Sequence, residues 1–136
     1  MTTSYLRLVA YSLFLMADAV GCAIPNQSTP MLEFQFFNGC PNADGTLQNL
    51  REVMSELHIS ENALKMTEVP SPDLAEQLNF QGSPTILLNG KDIYSGETPS
   101  DFSYACRIYE FDGKQTGLIP KEFILQKLIR SYEIRF

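Results

Sequence analysis

The sequence predicts a mixed α/β domain over residues 31–136, and three observations carry that expectation. Apolar residues alternate at Leu32, Phe34 and Phe36; apolar residues recur at three- and four-residue steps from Leu47 to Leu57; and Asn89-Gly90 separates two strand-like runs. The first is the period of a half-buried strand, and the second that of an amphipathic helix. The third is a hairpin dipeptide, because a type I′ turn needs positive φ at both central residues.

Element by element, Met31-Leu32-Glu33-Phe34-Gln35-Phe36-Phe37 forms the first strand, followed by a turn at Asn38-Gly39. Pro41 suits the first position of a helix, where a missing N–H costs nothing. Leu47, Leu50, Val53, Met54 and Leu57 give that helix one apolar stripe over about four turns. Ala63 to Val69 is a second strand. Ser71-Pro72-Asp73 then starts a helix with a capping serine, a first-turn proline and an acid at the positive dipole end. Leu74, Ala75 and Leu78 are expected to face the core, with Gln81-Gly82 ending the helix. Thr85-Ile86-Leu87-Leu88 is a buried strand and Asp92-Ile93-Tyr94 its antiparallel return. An irregular insert, Ser95 to Ala105, precedes an alternating run from Arg107 to Phe111, which the turn Asp112-Gly113 closes. Pro120 opens the last helix, with Phe123, Ile124, Leu128 and Ile129 on its apolar side. The order is β-α-β-α-β-β-(insert)-α, and handedness rules leave few ways to wrap it.

Bulk properties bound the function. A chain of 136 residues with 44% apolar and 19% charged residues suits one globular domain. Net charge is −6, and the 10 Lys and Arg form no basic run, which argues against nucleic acid as a partner. The 3 cysteines, Cys22, Cys40 and Cys106, are odd in number and suggest no disulfide framework. With His58 as the single histidine and no Cys-x-x-Cys or His-x-x-x-His pair, neither a closed zinc site nor any cofactor is expected.

Residues 1–30 are set apart from the fold. Leu8 to Met16 is a nine-residue apolar run after Arg7, too short to span a bilayer but of the length of a signal-peptide core. Ala19-Val20-Gly21-Cys22 resembles a lipoprotein cleavage box with Cys22 as the lipidated residue. The alternative is a true start at Met31. The first reading implies an exported or lipid-anchored protein, with membrane contact only through Cys22; the second implies a cytoplasmic one.

Cys40 is the centre of the expected chemistry. It lies between a strand end and a helix start, where the partial positive charge of the helix N-terminus favours thiolate over thiol. A buried structural cysteine is the plain alternative. Cys106 begins the last alternating run, and its distance from Cys40 is not legible in the sequence. Arg107 is expected to face solvent, Asp44 to compensate the helix dipole, and His58 to lie on the surface far along the helix from Cys40.

Phe36-Phe37-Asn38-Gly39-Cys40-Pro41-Asn42-Ala43 resembles the active-site segment of thioredoxin- and glutaredoxin-like proteins, and the element order is theirs. Gly82-Ser83-Pro84-Thr85 matches their proline motif before the third strand. With Cys106-Arg107-Ile108-Tyr109 and Gly117-Leu118-Ile119-Pro120, residues 31–136 resemble a family of small bacterial thioredoxin-like proteins, some of which carry alkylmercury lyase names. The resemblance implies a thioredoxin-like fold, a cis Ser83–Pro84 bond, and substrate contacts by Pro41, Ser83, Pro84 and Thr85. It also implies that the Ser83 backbone is free to pair with an extended substrate strand. Ala43 stands where that family's resolving cysteine would be. Cys40 must then act alone, use an outside thiol, or pair with Cys106. The expected function is glutaredoxin-like thiol redox on a protein or small-molecule thiol or disulfide through a single N-terminal active-site cysteine: Cys40 and Cys106 are the catalytic residues, Cys40 attacking the disulfide and Cys106 or an external thiol resolving the mixed disulfide. The alternatives are an organomercurial or soft-metal thiol protein and a non-catalytic binding module.

Overall fold

The computed structural model describes residues 29–133. The start and lipidation readings for residues 1–28, Cys22 included, fall outside the described residues. The elements run β1 (Leu32–Phe36), α1 (Ala43–Glu56), β2 (Leu64–Glu68), α2 (Pro72–Leu78), β3 (Thr85–Leu88), β4 (Lys91–Asp92), β5 (Tyr109–Phe111), β6 (Lys114–Thr116) and α3 (Lys121–Glu133). Four strands form a mixed sheet in the order β2-β1-β3-β4, with β1 parallel to β2 and antiparallel to β3; β5 and β6 form a separate ribbon.

Alternation along β1 decides the layering. Leu32 and Phe34, with Ile86 of β3, join one buried cluster with Leu50, Val53 and Met54 of α1 and Ile124 and Leu128 of α3. The intervening Glu33 and Gln35 point to the other face. There Glu33 accepts hydrogen bonds from Thr67 Oγ1 at 2.7 Å and Gln35 Nε2 at 3.1 Å. The short α2 and the residues flanking it cover part of that second face, where Val69, Ala75 and Phe80 form a second buried cluster with Phe37 and Leu74. Asn89 and Gly90 both have positive φ, 52° and 80°, and make the two-residue turn between β3 and β4 that the dipeptide implies.

Several boundaries differ from expectation for physical reasons. Ala63 belongs to a 3-10 turn, Glu61–Ala63, capped by the Ser60 hydroxyl, so β2 starts at Leu64. Leu78 is partly exposed, because Asn79 enters the left-handed region at φ 52° and ends α2 there. The return strand after Gly90 is two residues long, although Ile93 N still donates to Ile86 O at 2.9 Å. The strand β6 has only polar residues and little apolar pattern to announce it.

The Gly117-Leu118-Ile119-Pro120 segment is fixed to the first turns of α1. Thr46 Oγ1 accepts from Ile119 N at 3.3 Å, and Asn49 Nδ2 donates to Ile119 O at 2.9 Å. A Cβ on Gly117 would lie 2.1 Å from Asn42 Nδ2, so a larger residue there would require the Asn42 side chain to move.

Leu50 is fully buried at the α1–β1–α3 junction. Leu50→Ala is expected to lower unfolding free energy by about 2–5 kcal/mol in urea titration, through lost contacts and a residual cavity. Met66→Ala, on the sheet edge with 41% of the side chain exposed, is expected to cost less than about 1 kcal/mol.

Candidate functional site: two cysteines across Ser83

The site lies where β1 ends and β3 begins. The antiparallel register pairs Gln35 with Thr85, and continuing it sets Phe37 across from Ser83. Phe37 N donates to Ser83 Oγ at 3.3 Å. The chain then turns at Asn38-Gly39, with Gly39 at φ 89°. Cys40 N donates to Phe37 O at 3.4 Å, and Ala43 N to Cys40 O at 3.3 Å. Pro41 is not the first helical residue: it sits exposed in a turn, and the helix starts at Ala43 after the N-cap Asn42. Cys40 therefore precedes α1 by one tight turn. Its thiol donates to Ser83 O at 3.5 Å, and the residue is 7% exposed.

The Ser83 backbone is not free, contrary to what the family resemblance implies. Ser83 N donates to Ala105 O at 3.0 Å, and Ser83 O accepts from Arg107 N at 2.8 Å. Ser103 N donates to Phe80 O at 2.7 Å. Residues 103–107 thus form a strap, bent at Ala105, that runs parallel to residues 80–83, with Cys106 bridged to Ser83. Gly82 makes the close approach possible. Its φ is 108°, and a Cβ there would meet Ala105 O at 2.9 Å and Arg107 Cβ at 3.1 Å.

The bridge decides which side chains meet. Paired residues of adjacent strands project to the same side, so Cys106 faces the Phe37–Cys40 loop along with Ser83 Oγ. Tyr104, two residues earlier, faces it too, and its ring lies 5.4 Å from that of Phe37. Cys40 and Cys106 lie near each other: partial desolvation first, then the charge of Cys40, push the Cys106 thiol above its ordinary value. Cys106 is exposed and Cys40 buried, and both are free thiols.

Arg107, expected to face solvent, points the opposite way, under the strap. Its guanidinium donates to both carboxylate oxygens of Asp92, at 3.1 and 2.6 Å, and to Thr85 Oγ1 at 3.1 Å. The pair is buried, with side-chain exposures of 13% and 3%. The guanidinium also lies 4.6 Å from the Tyr109 ring centre, where the π face attracts a cation. Burial alone would raise the Asp92 carboxyl; the hydrogen bonds and charge of Arg107, with Ser95, outweigh it and hold the carboxyl below its ordinary value. Burial pushes the Tyr109 phenol well up, and its hydroxyl donates to Pro84 O.

Of the residues expected to bind substrate, Ser83, Pro84 and Thr85 are buried beneath this layer, and the Ser83–Pro84 bond is cis. Thr85 Oγ1 donates to Gly82 O at 2.6 Å, which stiffens the turn into β3. His58 is exposed beyond the far end of α1, and Asp44 is exposed in its first turn. Among the described residues, no three His, Cys, Asp or Glu side chains come together as a metal site would need. No family model, curated protein or solved structure matches the chain.

Sequence reasoning missed Asp92 and Tyr109 as site residues. The spacing Cys106-Arg107-Ile108-Tyr109 held the signal: alternate residues of an extended run put Cys106 on one side and Arg107 on the other. Nothing in the sequence said which acid Arg107 would meet.

Removing Arg107 leaves a buried, unpaired carboxylate, a loss of about 3–5 kcal/mol. Arg107→Met is expected to lower stability by that order in urea titration, and Arg107→Met with Asp92→Asn to recover a large part of it. The pH dependence follows from the same pair. The folded Asp92 value lies below the ordinary 3.8, so its contribution is fully present above that value. It is lost as pH falls through the folded value. In Arg107→Met the carboxyl keeps the Ser95 hydrogen bonds but loses the hydrogen bonds and charge of Arg107, so its folded value rises, and acidification to about pH 4 is expected to narrow the stability gap to wild type.

Proposed function

We propose that the protein is a thiol–disulfide redox protein of thioredoxin-like fold, in which Cys40 and Cys106 form the exchanging pair. The observation that carries this reading is the Ser83 bridge, which accepts the Cys40 thiol on one side and aligns Cys106 beside it. Ala43 denies the protein a second cysteine at the first residue of α1; the strap supplies one from 66 residues away along the chain, counting from 40 to 106.

The chemistry balances as ordinary thiol–disulfide exchange. One thiolate of the pair attacks a substrate disulfide sulfur, forming a mixed disulfide and releasing a thiolate that takes a proton from water. The second attacks the mixed disulfide, the Cys40–Cys106 bond forms, and the other substrate sulfur leaves. Two electrons and two protons pass to the substrate, and an external thiol reductant reverses the change in the protein. Arg107 and Asp92 act as positioning residues: they touch neither sulfur and hold the strap that carries one of them.

The same two thiols suit a soft, two-coordinate ion such as Hg(II) or Cu(I). Organomercurial cleavage also requires a proton donor. Asp92, the buried acid nearest in chain contacts to the strap, is held ionised by Arg107. The geometry therefore favours redox exchange over cleavage.

Mild oxidation of the full chain is expected to form a Cys40–Cys106 disulfide, identified by peptide mapping and by loss of the two thiol hydrogens in intact mass. Cys40→Ser and Cys106→Ser are each expected to abolish it, and Cys22→Ser to leave it intact. A disulfide to Cys22, or none, would defeat the reading.

A further inference from the structure

The strap has two edges, and only one is used. Residues 103, 105 and 107 turn their main-chain groups toward residues 80–83. By the alternation of a strand, Tyr104 and Cys106 turn theirs outward. Among the described residues, their N–H and C=O groups have no hydrogen-bond partner. This edge is exposed along its length. On either side of Cys106, at strand spacing, stand two of the few large apolar side chains on the surface: Tyr104 at 38% and Ile108 at 68% exposed.

An exposed strand edge is a template for a further strand. The inner edge at Ser83 cannot serve, because opening it would break the strap's main-chain bonds and strip Asp92 of its buried partner. The outer edge is open without any rearrangement. A small-molecule disulfide has no use for a row of donors and acceptors or for apolar side chains two residues to each side of the thiol.

We propose that the substrate is an extended peptide segment that adds as a strand to the outer edge of the strap at Tyr104 and Cys106, and that its sulfur joins Cys106 in the mixed disulfide. The fitting segment carries a disulfide-bonded cysteine with apolar residues two positions before and after it, to meet Tyr104 and Ile108. This rests on the redox reading above and assigns the order of its steps, with Cys106 rather than Cys40 meeting the substrate first because Cys40 is buried and Cys106 is exposed. Cys106 Sγ bonds to the substrate sulfur and displaces its disulfide partner as a thiolate. Cys40, buried behind it, then attacks Cys106 Sγ, forms the internal disulfide and expels the peptide thiolate. Both released thiolates are protonated from water, and the exchange runs in reverse from the oxidised protein.

The test uses the full chain with Cys22→Ser, so that only Cys40 and Cys106 react. The probes are a nine-residue extended peptide with a central cysteine activated as its thionitrobenzoate disulfide, the same peptide N-methylated on the residues flanking that cysteine, and glutathione activated in the same way. In the Cys40→Ser variant, the peptide is expected to remain bound as a mixed disulfide mapped to Cys106. N-methylation is expected to slow its capture about tenfold, through loss of one or two strand hydrogen bonds. Equal rates for all three probes would overturn the peptide edge. Capture by Cys40 in Cys106→Ser that is as fast as capture by Cys106 in Cys40→Ser would overturn the order of steps. The protein with both cysteines, given the activated peptide, reports on the underlying reading: it is expected to release the peptide and end with the internal disulfide. If that disulfide forms while the N-methylated and unmodified peptides react alike, the redox reading stands and this proposal fails. If it never forms, both fail.

Discussion

Two main-chain hydrogen bonds, Ser83 N to Ala105 O and Arg107 N to Ser83 O, govern how this site is arranged. They place Cys106 beside Ser83, and Ser83 already holds the Cys40 thiol through its own carbonyl. Without them, residues 95–107 would be an excursion between β4 and β5, and the cysteines would share only a chain. With them, one residue becomes the common ruler for two sulfurs that the sequence separates widely.

Such a pairing holds only if the strap gains more from docking than it loses in freedom. Ordering a residue costs about 1–2 kcal/mol in backbone entropy, and three hydrogen bonds at about 1 kcal/mol net each do not meet that for five residues. The difference comes from beneath. Arg107 brings its guanidinium to a carboxylate that β4 has already buried, and Tyr109 closes over Pro84. Peeling the strap would return the guanidinium to water, but it would leave Asp92 on β4 without its counter-charge and break the Tyr109 bond to Pro84. This makes docking close to all-or-none. The cost falls on sequence freedom: Gly82 must lack a side chain, and Arg107 needs the fork of a guanidinium rather than a point charge.

The frame was legible because its signals are local. Leu32-Phe34-Phe36 alternation, the Leu50-Val53-Met54 stripe and Asn89-Gly90 each name an element from a handful of neighbours, and β1, α1 and the β3–β4 hairpin stand where those signals put them. The site was legible only in part. Cys40 is found at the mouth of α1, but the helix starts two residues later than Pro41 suggests, because Pro41 and Asn42 first complete a turn. The sequence predicts a solvent-facing Arg107 because a charged residue beside a cysteine at the start of a strand-like run has no local reason to be buried. Its partner Asp92 is 15 residues earlier on another strand, and contacts of that kind leave no mark in periodicity or composition. The insert hid the strap for the same reason: Ser103 to Arg107 alternates only weakly, and its partner strand, Phe80 to Ser83, reads as a helix end.

The most direct test of the strap is amide hydrogen exchange by NMR on the reduced protein. The docking described here requires Ser83 and Arg107 amides to exchange as slowly as Leu87 in β3, which pairs with Glu33 of β1, while Tyr104 and Cys106, on the open edge of the same strap, exchange fast. Ser83 and Arg107 exchanging at the rate of Tyr104 would mean that the strap does not rest on Ser83, and the pairing of Cys40 with Cys106 would lose its basis.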